Sequence, residues 1–347
     1  MSAPYFSIMK LQILITQYKE TEDVIKPLLD SIAIQQGVEF DNFEVIICSD
    51  GGEVRLSDYF LRSYPFSIKY FAIEHGGVSA ARNALMDYAT AEYIMFCDCD
   101  DMFVSNCGLY QIMVDIDSGF DSLTSTFIEE YKHKDGKIVY VSHTDDATFI
   151  HGKVHRRQYL IDNNIRWNEN LTIHEDSFFN ILAQAMTDKV RECKNPFYLW
   201  KWRDDSVCRH DDKYMLKTYD KFIDSNDALI DEFVKRGILD KAMFYFVRMV
   251  FETYYTMNKP EWLEQENQEY REKTEKRFAE HFRKHKDLWD NTPMRDKVNI
   301  SDQARGRIVG QGMLLEATTI FKWLEEITGE EQCLQENKEV DFGQKNV

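Results

Sequence analysis

The sequence predicts an α/β fold, a mostly parallel sheet flanked by helices, followed by a helical appendage. Three observations carry this. Short apolar or β-branched runs alternate with helix-length segments through the first half, the rhythm of βαβ units. Four of those runs end in polar residues. Beyond about residue 210 the apolar spacing turns helical, as in Phe222, Ile223, Leu229, Ile230 and Phe233, and strand signals fade.

The elements follow in order. Leu11 to Thr16 is the first strand, and Glu22 to Gln35 has helical composition. Phe43 to Cys48, Ile68 to Glu74 and Glu92 to Asp98 are further strands, with a helix over Val78 to Ala89 between the last two. Ser122 to Ile150 is strand-like, and Asp135-Gly136 is a hairpin signal between Phe127 to His133 and Lys137 to Ser142. Arg156 to Asn163 and Glu175 to Met186 read as helices. The domain expectation is therefore an α/β unit over 1–212, a helical unit over 213–330 and a polar tail over 331–347.

Composition narrows the function. The chain has 347 residues, 44% of them apolar, enough for a sizeable core. No window approaches the roughly 18 apolar residues of a membrane span, and the start lacks a basic-then-apolar leader, so a cytoplasmic protein is expected. Seven cysteines, an odd number, do not form a disulfide framework. Cys97, Cys99 and Cys107 give no second ligand pair at zinc spacing. A formal charge of −18 opposes unaided binding to polyanions, although a local basic face with Lys153, Arg156, Arg157, Arg305 and Arg307 leaves nucleic acid open.

The four strand ends are Thr16-Gln17-Tyr18, Ser49-Asp50-Gly51-Gly52, Glu74-His75-Gly76-Gly77 and Asp98-Cys99-Asp100-Asp101. Carboxyl ends of strands in an open α/β sheet share one edge, so these loops should converge on one ligand crevice. Asp98, Asp100 and Asp101 concentrate charge there, which suits a hard divalent cation shared with phosphate oxygens. Glu175 and Asp176 open a helix. The helix macrodipole alone favours acids at that position, so the pair by itself leaves a structural and a catalytic reading open.

His75-Gly76-Gly77-Val78-Ser79-Ala80-Ala81-Arg82-Asn83-Ala84-Leu85, followed by a strand ending in Asp98-Cys99-Asp100, resembles the core signature of family 2 glycosyltransferases. Thr172 to Phe179 resembles that family's Glu-Asp motif, and Tyr198 to Val207 its aromatic strand and the lid segment after it. The resemblance covers roughly residues 10 to 210. It implies a GT-A fold and inverting transfer of a sugar from a nucleoside-diphosphate sugar, a UDP-sugar by family habit, to a hydroxyl acceptor with Mn2+ or Mg2+.

Residue by residue, the resemblance implies that Thr16, Tyr18, Asp50, Arg82, Asp98 and Arg203 bind the donor nucleotide. Asp100, Asp98 and His210 would hold the metal, Asp176 would be the base with Glu175 beside it, and Lys153 would touch the acceptor. Family acceptors include polysaccharides, teichoic acids, lipids, proteins and modified DNA bases, and helical tails there mediate oligomerisation or extend the acceptor surface. Two other readings compete, a catalytically inactive GT-A binding module and a nucleotidyltransferase. The first expects loss of the acidic residues, which are present. The second expects a glycine-rich basic loop after the first strand, which Thr16-Gln17-Tyr18-Lys19-Glu20 lacks.

Overall fold

A computed structural model describes residues 9–204, 206, 209, 213–308 and 319–329. They divide into two compact units, one ending at residue 212 and one beginning at 213. The predicted tail over 331–347 lies outside the described residues.

The first unit is built on one nine-stranded sheet. Strands β1 (Leu11–Gln17), β2 (Phe43–Asp50), β3 (Ser67–Ile73) and β4 (Tyr93–Asp98) are parallel, in the order β3-β2-β1-β4. Ile13, Val45, Ile47 and Met95 are fully buried because helices cover both faces, which is why these strands read as continuous apolar runs. The covering helices include α1 (Glu22–Ala33), the one-turn α2 (Asp58–Arg62), α3 (Val78–Tyr88) and α4 (Gly108–Ser118). The chain runs outward from β1 to β3 and then returns to β1's other side as β4. The topological switch point therefore lies between β1 and β4, where a crevice forms outside the strand ends. Thr16 pairs with both Cys48 and Asp98 across that edge.

Beyond β4 the sheet becomes mixed, so the parallel part is confined to four strands. The two-residue β5 (Met102–Phe103) ends one edge. β6 (Ser122–Lys132) forms a hairpin with β7 (Ile138–His143), turning at Asp135-Gly136, with Gly136 at φ 85°. β8 (Lys153–Arg156) lies antiparallel between β4 and β6, and β9 (Val190–Trp200) runs parallel to β6. α5 (Arg157–Asp162) follows β8, and α6 (Glu175–Ala185) packs Phe179 against Phe96 of β4 and against Trp167, whose ring stacks on it at 4.1 Å.

The second unit is helical: α7 (Tyr214–Lys235), α8 (Leu239–Met257), α9 (Pro260–Leu263), α10 (Gln268–Lys284), α11 (Lys286–Asn291), α12 (Met294–Ile308) and α13 (Thr319–Thr328). Phe233, Phe246, Phe278, Phe282, Trp289 and Leu324 form its core. Asp224, Asp227 and Asp231 recur at helical spacing on α7 and meet Arg277, His281, Lys284 and His285. Although Asp227, Asp231 and His285 cluster closely enough for a metal, the Lys284 ammonium already binds both aspartates. Among the described residues no helix is long and apolar enough to cross a membrane.

Gly152, just before β8, has φ 66°, and a Cβ there would lie 2.2 Å from Ser125 Oγ on β6. The adjoining backbone bond from Ser125 N to Gly152 O, 2.9 Å, fixes that close approach. Gly152→Ala should therefore cost about 2 kcal/mol or more in urea denaturation, from left-handed backbone strain plus the clash. A loss below roughly 0.5 kcal/mol, the scatter of neutral substitutions, would show that the β6–β8 junction relaxes freely.

Candidate active site

The strand ends do converge. Gly51, at φ 97°, lets its backbone pass beneath His75 and Tyr18, where a Cβ would sit 3.3 Å from the His75 Cβ. Above it the Tyr18 and His75 rings stack, centroids 4.8 Å apart and planes 18° apart. Tyr18 is 37% exposed, so a flat aromatic surface faces solvent. Thr16 is half-buried at the end of β1. Asp50 is buried, and its carboxylate accepts from the Gly76 and Gly77 N–H groups at 2.7 and 3.0 Å and contacts His75 Nδ1 at 2.9 Å. It thereby fixes the loop that opens α3.

Arg82, one turn into α3, is the hub. It is 4% exposed and lies over the Trp167 ring at 4.4 Å. Its guanidinium donates to Asp98 Oδ1 at 3.0 Å and to Glu175 Oε1 at 2.9 Å, joining the end of β4 to the start of α6. Burial alone would lower its pKa, but Asp98, Glu175 and Asp176 outweigh burial and raise it. Next to it, Asn83 exchanges two bonds with the Trp167 backbone, each 3.0 Å, which secures the segment leading into α6.

Asp176 follows Glu175 in the first turn of α6, half-buried, with Oδ1 accepting from Ser177 N at 2.8 Å. Burial, then Glu175, push its carboxyl up to about 7, with Arg82 opposing. Since the ordinary value is lower, ionising Asp176 costs stability as pH rises from about 4 to about 7. His174, the residue before α6, sits at φ 62°, a left-handed conformation that sets the direction in which the acidic pair leaves the chain.

The acidic loop is arranged differently from the expectation. A turn closes with Asp101 N donating to Asp98 O at 3.2 Å, bringing the carboxylates of its first and fourth residues to one side. Ligand atoms of Asp98, Asp101 and His151 all lie within 4.8 Å of one another. His151 is buried and its Nδ1, 3.6 Å from Asp101 Oδ2, has no hydrogen-bond partner among the described residues; burial holds its pKa well below the usual range, so the ring is neutral. Two carboxylates and a neutral imidazole with an orphaned nitrogen are donors a divalent cation accepts, so the residues present fit the metal that the fold implies.

Asp100, expected as the direct ligand, instead pairs with Arg203 Nη1 at 3.0 Å, and His210 lies outside the described residues. Asp101 is anchored by Tyr198 OH at 2.6 Å and Lys201 N at 2.9 Å, tying the loop to β9. Burial, then the neighbouring carboxylates, raise Asp101 well above the usual range and Asp100 above it.

Lys153, expected against the acceptor, is 1% exposed. β8 carries it into the sheet interior, where Nζ reaches His151 O at 3.4 Å and burial lowers its pKa to about 8 against Asp146 and Asp176. A side chain this enclosed does not present itself to an acceptor arriving from solvent. His75 stands in the sequence only as the opening of the glycine-rich signature, and nothing in the sequence marks His151 as a ligand. The positive φ and tight approach at Gly152 that turn His151 inward have no sequence signature beyond the glycine itself.

Glycosyl transferase family 2 matches residues 12–179. The minor teichoic acid biosynthesis protein GgaA of Bacillus subtilis (strain 168) is 25% identical over 209 residues, 54% of this chain and 46% of that protein. GgaB of the same organism, described in the same words, is 37% identical over 73 residues, 20% of this chain and 8% of that protein. The chain thus spans less than half the length of these curated relatives. A crystal structure of S. aureus TarS residues 1–349 in complex with UDP-GlcNAc superposes with a TM-score of 0.59 at 16% identity, covering 89% of this chain and 95% of that one. That likeness establishes the fold.

Removing Arg82 leaves the half-buried carboxylates of Asp98 and Glu175 without their shared cation, so Arg82→Met should destabilise the protein by about 2 kcal/mol, solvent screening at Asp98 reducing the cost of a fully buried pair, read as a lower urea midpoint. A shift under about 1 kcal/mol would make the clamp a solvent-screened pair.

Residues 12–179, most of the first unit, are thus a glycosyl transferase family 2 region.

Proposed function

We propose that the protein transfers a sugar, with inversion, from a UDP-sugar to a hydroxyl of a teichoic-acid-type acceptor. One observation carries the reading. The half-buried carboxyl of Asp176, pushed up to about 7, is linked through Glu175 and Arg82 to Asp98 at the switch-point crevice. A proton acceptor and a donor-phosphate region are thus held in one frame. The teichoic acid descriptions of the two curated relatives and the UDP-GlcNAc of the TarS complex support the acceptor and donor classes.

In this reading the Tyr18 and His75 rings receive the nucleobase by stacking. Asp50, whose carboxylate oxygens have lone-pair capacity beyond the contacts they make, accepts from the base. Thr16 and Asp98 flank the ribose, and Arg82 and Arg203 face the diphosphate. Asp98, Asp101 and His151 would hold Mn2+ or Mg2+, which when bound supplies positive charge opposite the departing diphosphate.

Asp176, as carboxylate, takes the proton of the acceptor hydroxyl while that oxygen forms its bond to the sugar C1. The C1–O bond to UDP breaks with its electron pair retained on the leaving phosphate oxygen. Glu175 positions Asp176 through its bond to Arg82. A base with pKa near 7 is well matched to proton transfer near neutral pH.

Asp176→Asn should lower transfer by about 10² to 10⁴-fold while preserving the thermal shift produced by UDP. Transfer by the unaltered protein should rise with pH through about 7, because only the ionised carboxyl accepts a proton. A pH-independent rate across that range, or near-normal turnover by the Asn variant, would remove Asp176 from the role.

The metal set is tested separately with Mn2+-dependent stabilisation by UDP. Asp98→Asn should abolish the metal-dependent part of the shift, whereas Asp100→Asn should retain most of it. The reverse ranking would restore Asp100 as the principal ligand.

A further inference from the structure

A ladder of rings leads outward from the acidic loop along β6 and β9. His151, beside Asp101, stands 4.9 Å from Trp200, and the Arg209 guanidinium covers Trp200 at 4.0 Å and reaches Trp202 at 5.2 Å. Tyr131 meets Trp202 edge-on at 6.5 Å, and Lys132 Nζ lies 5.9 Å above the same ring. Strand alternation puts Trp200 and Trp202 on the face that carries Glu129 and Tyr131. Val139 and Val141 of β7, opposite Tyr131 and Glu129, extend it.

This outer face is unusually apolar for a surface. Tyr131 is 44% exposed, Val139 41% and Val141 38%. Nothing in the transfer chemistry above uses it, yet its inner ring, Trp200, packs on the buried His151 beside the acidic loop. Its polar groups are of both kinds: Arg209 pairs with Glu129 on the face itself, and at its edge Lys132 pairs with Asp204 while Glu130 accepts from Trp202 N. Rings offer flat surface to C–H groups, carboxylates accept from hydroxyls, and the cations take phosphate oxygens.

The geometry points to this face as a track for the acceptor beyond its reacting hydroxyl, its occupant a phosphodiester-linked polyol chain. This deepens the acceptor reading above and rests on it. A chain that alternates carbon-rich polyol segments with phosphates matches rings interleaved with cations, and the ladder's inner end lies at the acidic loop. Because the track lies beyond the reacting hydroxyl, it favours long acceptors over short ones.

The test compares initial rates with poly(glycerol phosphate) and with its dimer for the unaltered protein, Tyr131→Ala, Trp202→Ala and Lys132→Ala. Each variant should raise KM for the polymer about tenfold, the effect of losing roughly 1.4 kcal/mol of contact. Its kcat, its kinetics with the dimer and its stabilisation by UDP should be unchanged. Lys132→Ala guards against misfolding, since Lys132 is a surface side chain.

Normal polymer kinetics in all three variants, or equal losses on polymer and dimer, would overturn the track while leaving the acceptor reading intact. An unaltered protein that is stabilised by UDP but uses neither probe would overturn both. Variants that instead shift the sedimentation of the protein, with polymer kinetics unmoved, would make the face a contact between copies of this chain.

Discussion

One desolvated guanidinium organises the site. Arg82 is enclosed by Trp167 and shared between Asp98 and Glu175, so the end of β4, the start of α6 and the body of α3 meet at a single cation. An ion triad around a buried guanidinium adds little net stability relative to well-packed apolar residues, because desolvation offsets most of the attraction. What it provides is geometry. With the cation buried, displacing either half-buried carboxylate leaves it short of a partner, and the segment from Trp167 to Glu175 is held in register by Asn83 and by the stacking of Trp167 on Phe179.

The remaining electrostatics follow from that placement. Four carboxylates, Asp98, Asp100, Asp101 and Asp176, lie near two arginines, Arg82 and Arg203, and burial raises the protonation range of the last three. Charge of this density is costly in a folded protein and is retained where it serves ligand binding or catalysis. The left-handed His174 belongs to the same pattern, since a strained residue directs the acidic pair into the crevice.

Much of this was legible in the sequence. The strands β1 to β4 announce themselves because burial on both faces demands uninterrupted apolar runs, and their polar ends mark the crevice. The acidic loop and the Glu-Asp pair were found as residue types in a pattern. Less legible was how side chains sort within a loop: the turn from Asp98 to Asp101 brings together the carboxylates of its first and fourth residues, and that of the third, Asp100, goes to Arg203. β8 was missed because Lys-Val-His-Arg reads as surface, yet Lys153 and His155 are enclosed between β4 and β6. α4 starts at Gly108 with no side-chain cap, so its onset carried no signal either. The stacking of His75 on Tyr18 depends on the close passage at Gly51, a contact between loops far apart in sequence.

The central claim is that a carboxylate at residue 176 drives a single displacement at the sugar carbon on the crevice side opposite the leaving diphosphate. The most direct measurement is the anomeric configuration of the product formed from α-configured UDP-GlcNAc, read from the proton coupling at C1 by NMR. The account predicts a β-linked product with release of UDP. An α-linked product would contradict it, because retention requires a double displacement or a front-face attack in place of the single inverting displacement.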